Sequence, residues 1–440
     1  MEASGRVEAG DVRFAERSQP STAVAKPGDL PALTGLRFFA AFFIFVGHAT
    51  PMMLRLNPSP QPLINVTNCF LEVGMQLFFV LSEFVIHYNY ADVGQLQSRN
   101  LARFYIARFA RIYPLYVLFL ILQLVVHSDL LAFLLYLGLT QSWVYIVIKG
   151  VPLIGRLGAA ITWSISTEWF FYCLYPIIAW LFVMMRHRLA AALFLAALAL
   201  LGLVLVVFVG SHGREVNAFA QAVWGKHGDF FFTWLLAFSP FGRLPPFLIG
   251  VATAHIFMTG HRRPVGEAER RLGTAFLTLA LVCAVAMCGA QSVGAYISAI
   301  ALFVYPLSIA VIMFCCAHYR SMFSGMLSSA LLIFCGDASY SIYLFHTLIL
   351  DKIRVRDVLP WTWYDISYVG VRFAAAALIT IVFSGIMYRV FEAPARAATR
   401  SLLGRCVDPA ASPPAHWTPI ILCVGIPVAL TILGWFISLR

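Results

Sequence analysis

The stretch 36–54, LRFFAAFFIFVGHATPMML, decides the fold. It carries one guanidinium, Arg37, and one imidazole, His48, in an otherwise almost wholly apolar run. Its length is close to the ~20 residues that cross hydrocarbon as a helix. Working outward, comparable runs recur at roughly 70–90, 113–127, 166–183, 189–210, 241–258, 273–289, 294–316, 329–350, 367–389 and 418–438. Of the 440 residues, 61% are hydrophobic and only 12% are charged, about half the charge density of a soluble domain. A soluble core has no use for so many apolar runs, whereas lipid does. The expected fold class is all-α, a polytopic transmembrane helical bundle.

Charge orients the expected bundle. The formal charge is +11, from 31 basic and 20 acidic residues. No basic stretch is long enough to form a nucleic-acid surface, so the excess reads as orientation in a bilayer. The apolar stretch 129–148 is the deciding segment. If it does not span, Arg99, Arg103, Arg108, Arg111, Arg186 and Arg188 share one side with Arg262, Arg263, Arg270, Arg271, Arg320, Arg389, Arg396, Arg400 and Arg405. If it spans, that bias collapses. The stretch is therefore expected to be re-entrant or interfacial, leaving eleven spans and a cytoplasmic N-terminus. Lys352, Arg354 and Arg356 then lie outside, partly offset by Asp351 and Asp357.

On this topology 211–240 is an external loop, and its Trp224, Phe230, Phe231, Phe232 and Trp234 suit an interfacial belt. Residues 1–32 read as a disordered cytoplasmic tail without a signal peptide. Residues 33–400 form the membrane domain, 401–417 a linker with Pro413 and Pro414, and 418–440 an additional C-terminal helix. The nine cysteines show no paired spacing, so neither a disulfide framework nor a metal site is expected.

Arg37 and His48 are eleven positions apart, about 20° beyond three full turns and about 16 Å along the axis. They share one helix face, which is costly in lipid unless that face lines a cavity or a site. Arg108 and Arg111 fall level with Arg37, and three arginine forks at one depth suit phosphate oxygens; anchoring at the basic side explains them equally well. Glu168 is expected at the depth of His48, where a carboxylate fixes an imidazole tautomer; a helix-entry acid capped by Ser164 or Ser166 is the competing reading. Ser339 and Tyr340 are of the type that bonds between helices, and His346 falls in the outer half with His48. Glu392 is expected to pair with a basic neighbour.

The ordered segments Leu33 to Arg37, His48, Phe78 to Ser82, Arg108 to Pro114, Trp163 to Tyr172, Pro246 to Gly250, Ser339 to His346 and Tyr388 to Pro394 resemble the acyltransferase type-three family of integral membrane O-acyltransferases. The resemblance implies a ten-span catalytic domain that moves an acyl group, usually acetyl, from acyl-CoA to a hydroxyl. Family acceptors include surface polysaccharides, lipid-linked sugars, peptidoglycan and secondary metabolites. The family's arginine and histidine with ten residues between them match Arg37 and His48, and its glutamate matches Glu168. One departure is Glu83, where glycine is usual; its expected partner is Arg37 or Arg111. The final span also lies beyond the minimal family domain.

Together these readings place acyl-CoA phosphates on Arg37, Arg108 and Arg111, with the pantetheine arm running the ~16 Å to His48. His48 then acts as general base oriented by Glu168, or as an acyl-histidine relay. Glu83, Ser339, Tyr340 and His346 are support or substrate contacts. Acyl-CoA is a donor substrate, and no permanently bound cofactor, metal or nucleic acid is expected. The partners are a saccharide or lipid-linked acceptor and the bilayer, with a bacterial inner membrane as the expected location. A competing class is a proton-coupled secondary transporter using His48, Glu83, Glu168 and Asp337, although the inverted repeats of many transporters are not seen. A non-catalytic scaffold is a third.

Overall fold

The computed structural model describes residues 30–54, 61–148, 150–185, 187–259, 266–291, 295–319, 321–353, 363–405 and 417–438. The described residues are almost entirely helical: α1 (Pro31–Leu54), α2 (Gln61–Tyr90), α3 (Ser98–His127), α4 (Leu130–Leu137), α5 (Trp163–Met184), α6 (Arg188–Trp224) and α7 (Pro240–Met258). There follow α8 (Glu267–Gln291), α9 (Ala295–His318), α10 (Ala330–Asp337), α11 (Ser339–Ile353), α12 (Trp363–Met387), α13 (Ala393–Gly404) and α14 (Ile426–Ser438). Among the described residues seven helices are long and apolar enough to cross a membrane, eight if α10 and α11, bent by 66°, form one span. Shorter apolar helices cover 189–202, 303–318 and 417–433. The fold is an all-α polytopic bundle.

The segment after α3 sets the position of the site. α4 has eight residues, about 12 Å at the helical rise and too short to cross hydrocarbon. A hairpin of Val147–Ile148 with Val151–Pro152 follows, then short helical turns. Polar side chains pin this segment to the bundle. The Tyr116 hydroxyl donates to the Tyr136 carbonyl at 2.8 Å, Gln141 Nε2 to the Thr162 carbonyl at 3.1 Å, and Gln123 Nε2 to the Gly158 carbonyl at 2.9 Å. Gln141 Nε2 also donates to the Tyr116 hydroxyl at 3.3 Å, which ties Thr162, and with it the start of α5, to α3 about three turns before its C-terminal end.

Two glycines bring α1 against the broken helix and against the short helical turn Met322–Leu327 that precedes it. A Cβ on Gly35 would lie 2.0 Å from the Leu327 carbonyl oxygen, and one on Gly336 would lie 1.9 Å from that of Thr34. No side chain fits either contact. The approach sets Arg37 beside the bend between α10 and α11.

Several sequence expectations are corrected. Segment 211–240 is not a loop: α6 runs on to Trp224, non-helical only at His212, and helical turns continue to Phe238. Trp234 is buried against Tyr145 and Phe231, so packing rather than a lipid interface explains it. Cys69 and Cys288 form a disulfide; their separation of 219 residues is closed by helix packing, which cysteine spacing cannot show. α1 begins inside the expected tail, and α13 enters the expected linker. Most of the tail, the linker prolines, Arg186, Arg262, Arg263, Arg320, Arg354, Arg356 and Asp357 lie outside the described residues.

Candidate active site

A cavity of about 90 Å³ lies between α1, α2, α3, α5 and α11. Arg37, Arg108, Arg111, Glu168, Ser339 and Tyr340 all line it, so six residues singled out in the sequence converge there. The helical run of α3 through Arg108 and Arg111 is longer than its apolar part, because the polar first turns continue the same helix. α11 begins at Ser339, and its N-terminal end meets the cavity. Orphan N–H groups there favour anions.

The three arginines differ in their commitments. Arg111 Nη1 lies 2.5 Å from Glu392 Oε1, while the Ser341 hydroxyl donates to Glu392 Oε2 at 2.7 Å. The pairing expected for Glu392 is therefore with Arg111. Arg108 stacks on the rings of Tyr90 and Tyr172 at 5.0 and 5.8 Å, and its Nε has no hydrogen-bond partner. Arg37 makes no ion pair with a described residue, and Arg111, Arg108 and Asp337 are its electrostatic neighbours. Arg37 and Arg108 are thus the guanidiniums with donors to spare.

Glu168 faces this cavity, not His48. Tyr172, one turn along α5, donates to its Oε1, and Arg108, Arg111 and Arg37 stand within electrostatic range. The cause is the pinned segment before α5, which places the helix start deeper than a loop at the membrane surface would. The expectation that Glu168 orients His48 is corrected. Glu83 also departs from expectation. It is 0% exposed, and neither carboxyl oxygen has a hydrogen bond; Arg37 and Arg111 are not its partners. The charges that act on it are Glu168 and Arg108.

His48 is held by His346. His346 Nε2 lies 3.0 Å from His48 Nδ1, with ring centroids 5.1 Å apart. His346 is fully buried and His48 half-buried. Neither lines the arginine cavity, which is bounded on that side by Met75, Phe78 and Tyr343. The Tyr343 ring sits 6.0 Å from that of His346 and 5.9 Å from that of Phe78. Its hydroxyl donates to the Ile161 carbonyl and accepts from Ser164 at 2.6 Å. Tyr343 therefore lies between the cavity and His346, beside Phe78.

Sequence reasoning missed Tyr343, Tyr172 and the pair Glu72–Arg243. Arg243, 3% exposed, reaches Glu72 Oε1 at 2.7 Å, and Gln76 donates to the same oxygen at 2.5 Å. Arg243 also lies over the Trp163 ring at 5.5 Å. The signal was available: an ionisable residue inside an apolar run needs a partner, and Glu72 and Arg243 each stand inside such a run. The tyrosines gave no such signal, because aromatic residues are ordinary in membrane helices.

The profile of the family described as an acyltransferase domain matches residues 30–389. The chain is similar to acyltransferase MdmB of Streptomyces mycarofaciens, with 25% identity over 398 residues, covering 86% of this chain and 93% of that protein. No solved structure matches the chain. The family match spans most of the sequence and contains the arginine cavity and both histidines, and the chain belongs to the acyltransferase type-three family.

Proposed function

We propose that the protein is an O-acyltransferase that moves an acyl group, acetyl in the simplest case, from cytosolic acyl-CoA to a hydroxyl of a saccharide, lipid-linked glycan or similar acceptor. One observation carries this reading: Arg37 and Arg108, with unspent donors, share a cavity at one end of the helix face whose other end holds the paired His48. Guanidinium forks suit the phosphates of the donor. The extended pantetheine arm follows α1 over the ~16 Å to His48. Tyr343 and Phe78 stand in that path, so donor binding turns Tyr343 off Ser164 and Ile161 and opens the way to the histidines. His48 removes the proton of the acceptor hydroxyl, whose oxygen attacks the thioester carbon. Glu168, held by Tyr172, orients the arginines rather than the base.

The reading includes ten spans plus the C-terminal α14, in a bacterial inner membrane with the N-terminus cytoplasmic. The disulfide supports this orientation. Cys69 lies near the His48 end of the bundle, since the Thr67 carbonyl and Leu71 pack at Gly47, and disulfides persist in oxidising compartments. Family membership favours acyl transfer over the transporter reading. The test is release of free thiol from acetyl-CoA by purified protein in detergent, without any ion gradient. Acyl transfer predicts release that rises when acceptor-bearing membrane extract is added. Thiol release no faster than in protein-free controls, with and without extract, contradicts it.

A further inference from the structure

The hydrogen bonds around the two histidines fix where the protons sit. His346 Nδ1 lies 2.7 Å from the Tyr343 carbonyl oxygen and 3.2 Å from that of Ile342. Carbonyl oxygens only accept, so Nδ1 of His346 carries the hydrogen. In a neutral imidazole the other nitrogen is then an acceptor. That nitrogen, Nε2, faces His48 Nδ1 at 3.0 Å, so His48 must donate from Nδ1. Turning the His346 ring over would break both ends of the chain at once. The Ile44 carbonyl, one turn back, also acts on the His48 ring.

We infer that His346 is a positioning residue that makes Nε2 of His48 the atom that takes the acceptor's proton. The inference rests on the reading of His48 as the base and adds the device that selects its tautomer. A neutral imidazole carries one N–H, and with Nδ1 protonated its lone pair is on Nε2, which bonds no described residue. In the transfer step the acceptor O–H proton passes to Nε2, and the oxygen pair forms the bond to the thioester carbon. The C–S pair leaves on sulfur, and Nε2–H returns the proton to the thiolate. Throughout, Nδ1–H stays bonded to His346, which accepts more strongly from the imidazolium than from the neutral ring. A backbone carbonyl thus sets one ring, and that ring sets the next.

The experiment pairs activity with a direct view of the tautomer. Radiolabelled acetyl-CoA is supplied to membrane vesicles carrying the full chain and the producing cell's surface glycans. His346→Phe is expected to lower kcat by about 10²–10⁴-fold, the span of general-base assistance, with KM for acetyl-CoA unchanged. His346→Gln, whose amide oxygen accepts near the Nε2 position, is expected to recover most of that loss. Heteronuclear NMR of histidine-labelled wild-type protein, with His48→Asn as the assignment control, should show His48 protonated at Nδ1. A wild-type spectrum with the proton on Nε2 overturns the inference, whether or not the Phe variant folds. So does full activity of His346→Phe where His48→Asn is inactive. Full activity of His48→Asn instead overturns the reading of His48 beneath it.

Discussion

Arg111 and Glu392, 281 positions apart, meet at 2.5 Å where α3 passes the start of α13. Glu392 is nearly buried, so removing Arg111 leaves a carboxylate facing only Ser341. Losing one partner of a buried pair costs about 3–5 kcal/mol, more than replacing both by apolar groups. Arg111→Ala should therefore lower the thermal unfolding temperature in detergent, and Arg111→Met with Glu392→Met should recover much of the loss. Equal unfolding temperatures for wild type and Arg111→Ala would remove this pair from the structural account.

Arg37 is the opposite case. It has no ion-pair partner among the described residues, so Arg37→Lys should leave unfolding unchanged while raising KM for acyl-CoA about 10-fold or more. The loss corresponds to one charge-assisted hydrogen bond, about 1.5–3 kcal/mol, because an ammonium lacks the bidentate fork. Wild-type KM in the lysine variant would assign Arg37 to anchoring instead.

The legible part of this site was its periodicity. Arg37 and His48 lie on one helix with nothing intervening, so helical geometry alone related them, and α7 starts within one residue of its expected position. What could not be read was anything set by a long-range fold. Glu168 was misplaced because its depth depends on Gln123, Tyr116 and Gln141 pinning a segment dozens of residues away. The bond from His48 to His346 crosses 298 positions, and the disulfide crosses 219. Nothing local in either stretch encodes such a contact.

Tyr343 closes the cavity toward the histidines and is held there by Ser164 and Ile161. Tyr343→Ala should open that end and shift donor preference toward longer acyl chains. Competition between acetyl-CoA and butyryl-CoA measures this, and an unchanged ratio would show that the ring does not gate the path.

Gly336 packs against the Thr34 carbonyl, so Gly336→Ala must push α1 from the broken helix. Arg37 and Ser339 then lose their common cavity wall. Activity should fall far more than expression, whereas Gly289→Ala, which meets open space, serves as the neutral control. Matching activities in the two variants would contradict the close-packing argument.

The central claim is that one bound donor reaches from the arginines to His48. An electron cryo-microscopy structure with a non-hydrolysable acyl-CoA analogue tests it directly. The account predicts phosphate density against Arg37 and Arg108, Tyr343 turned off Ser164, and the thioester mimic beside Nε2 of His48. A nucleotide bound elsewhere, or an acyl tip stopped short of an undisplaced Tyr343, would contradict it.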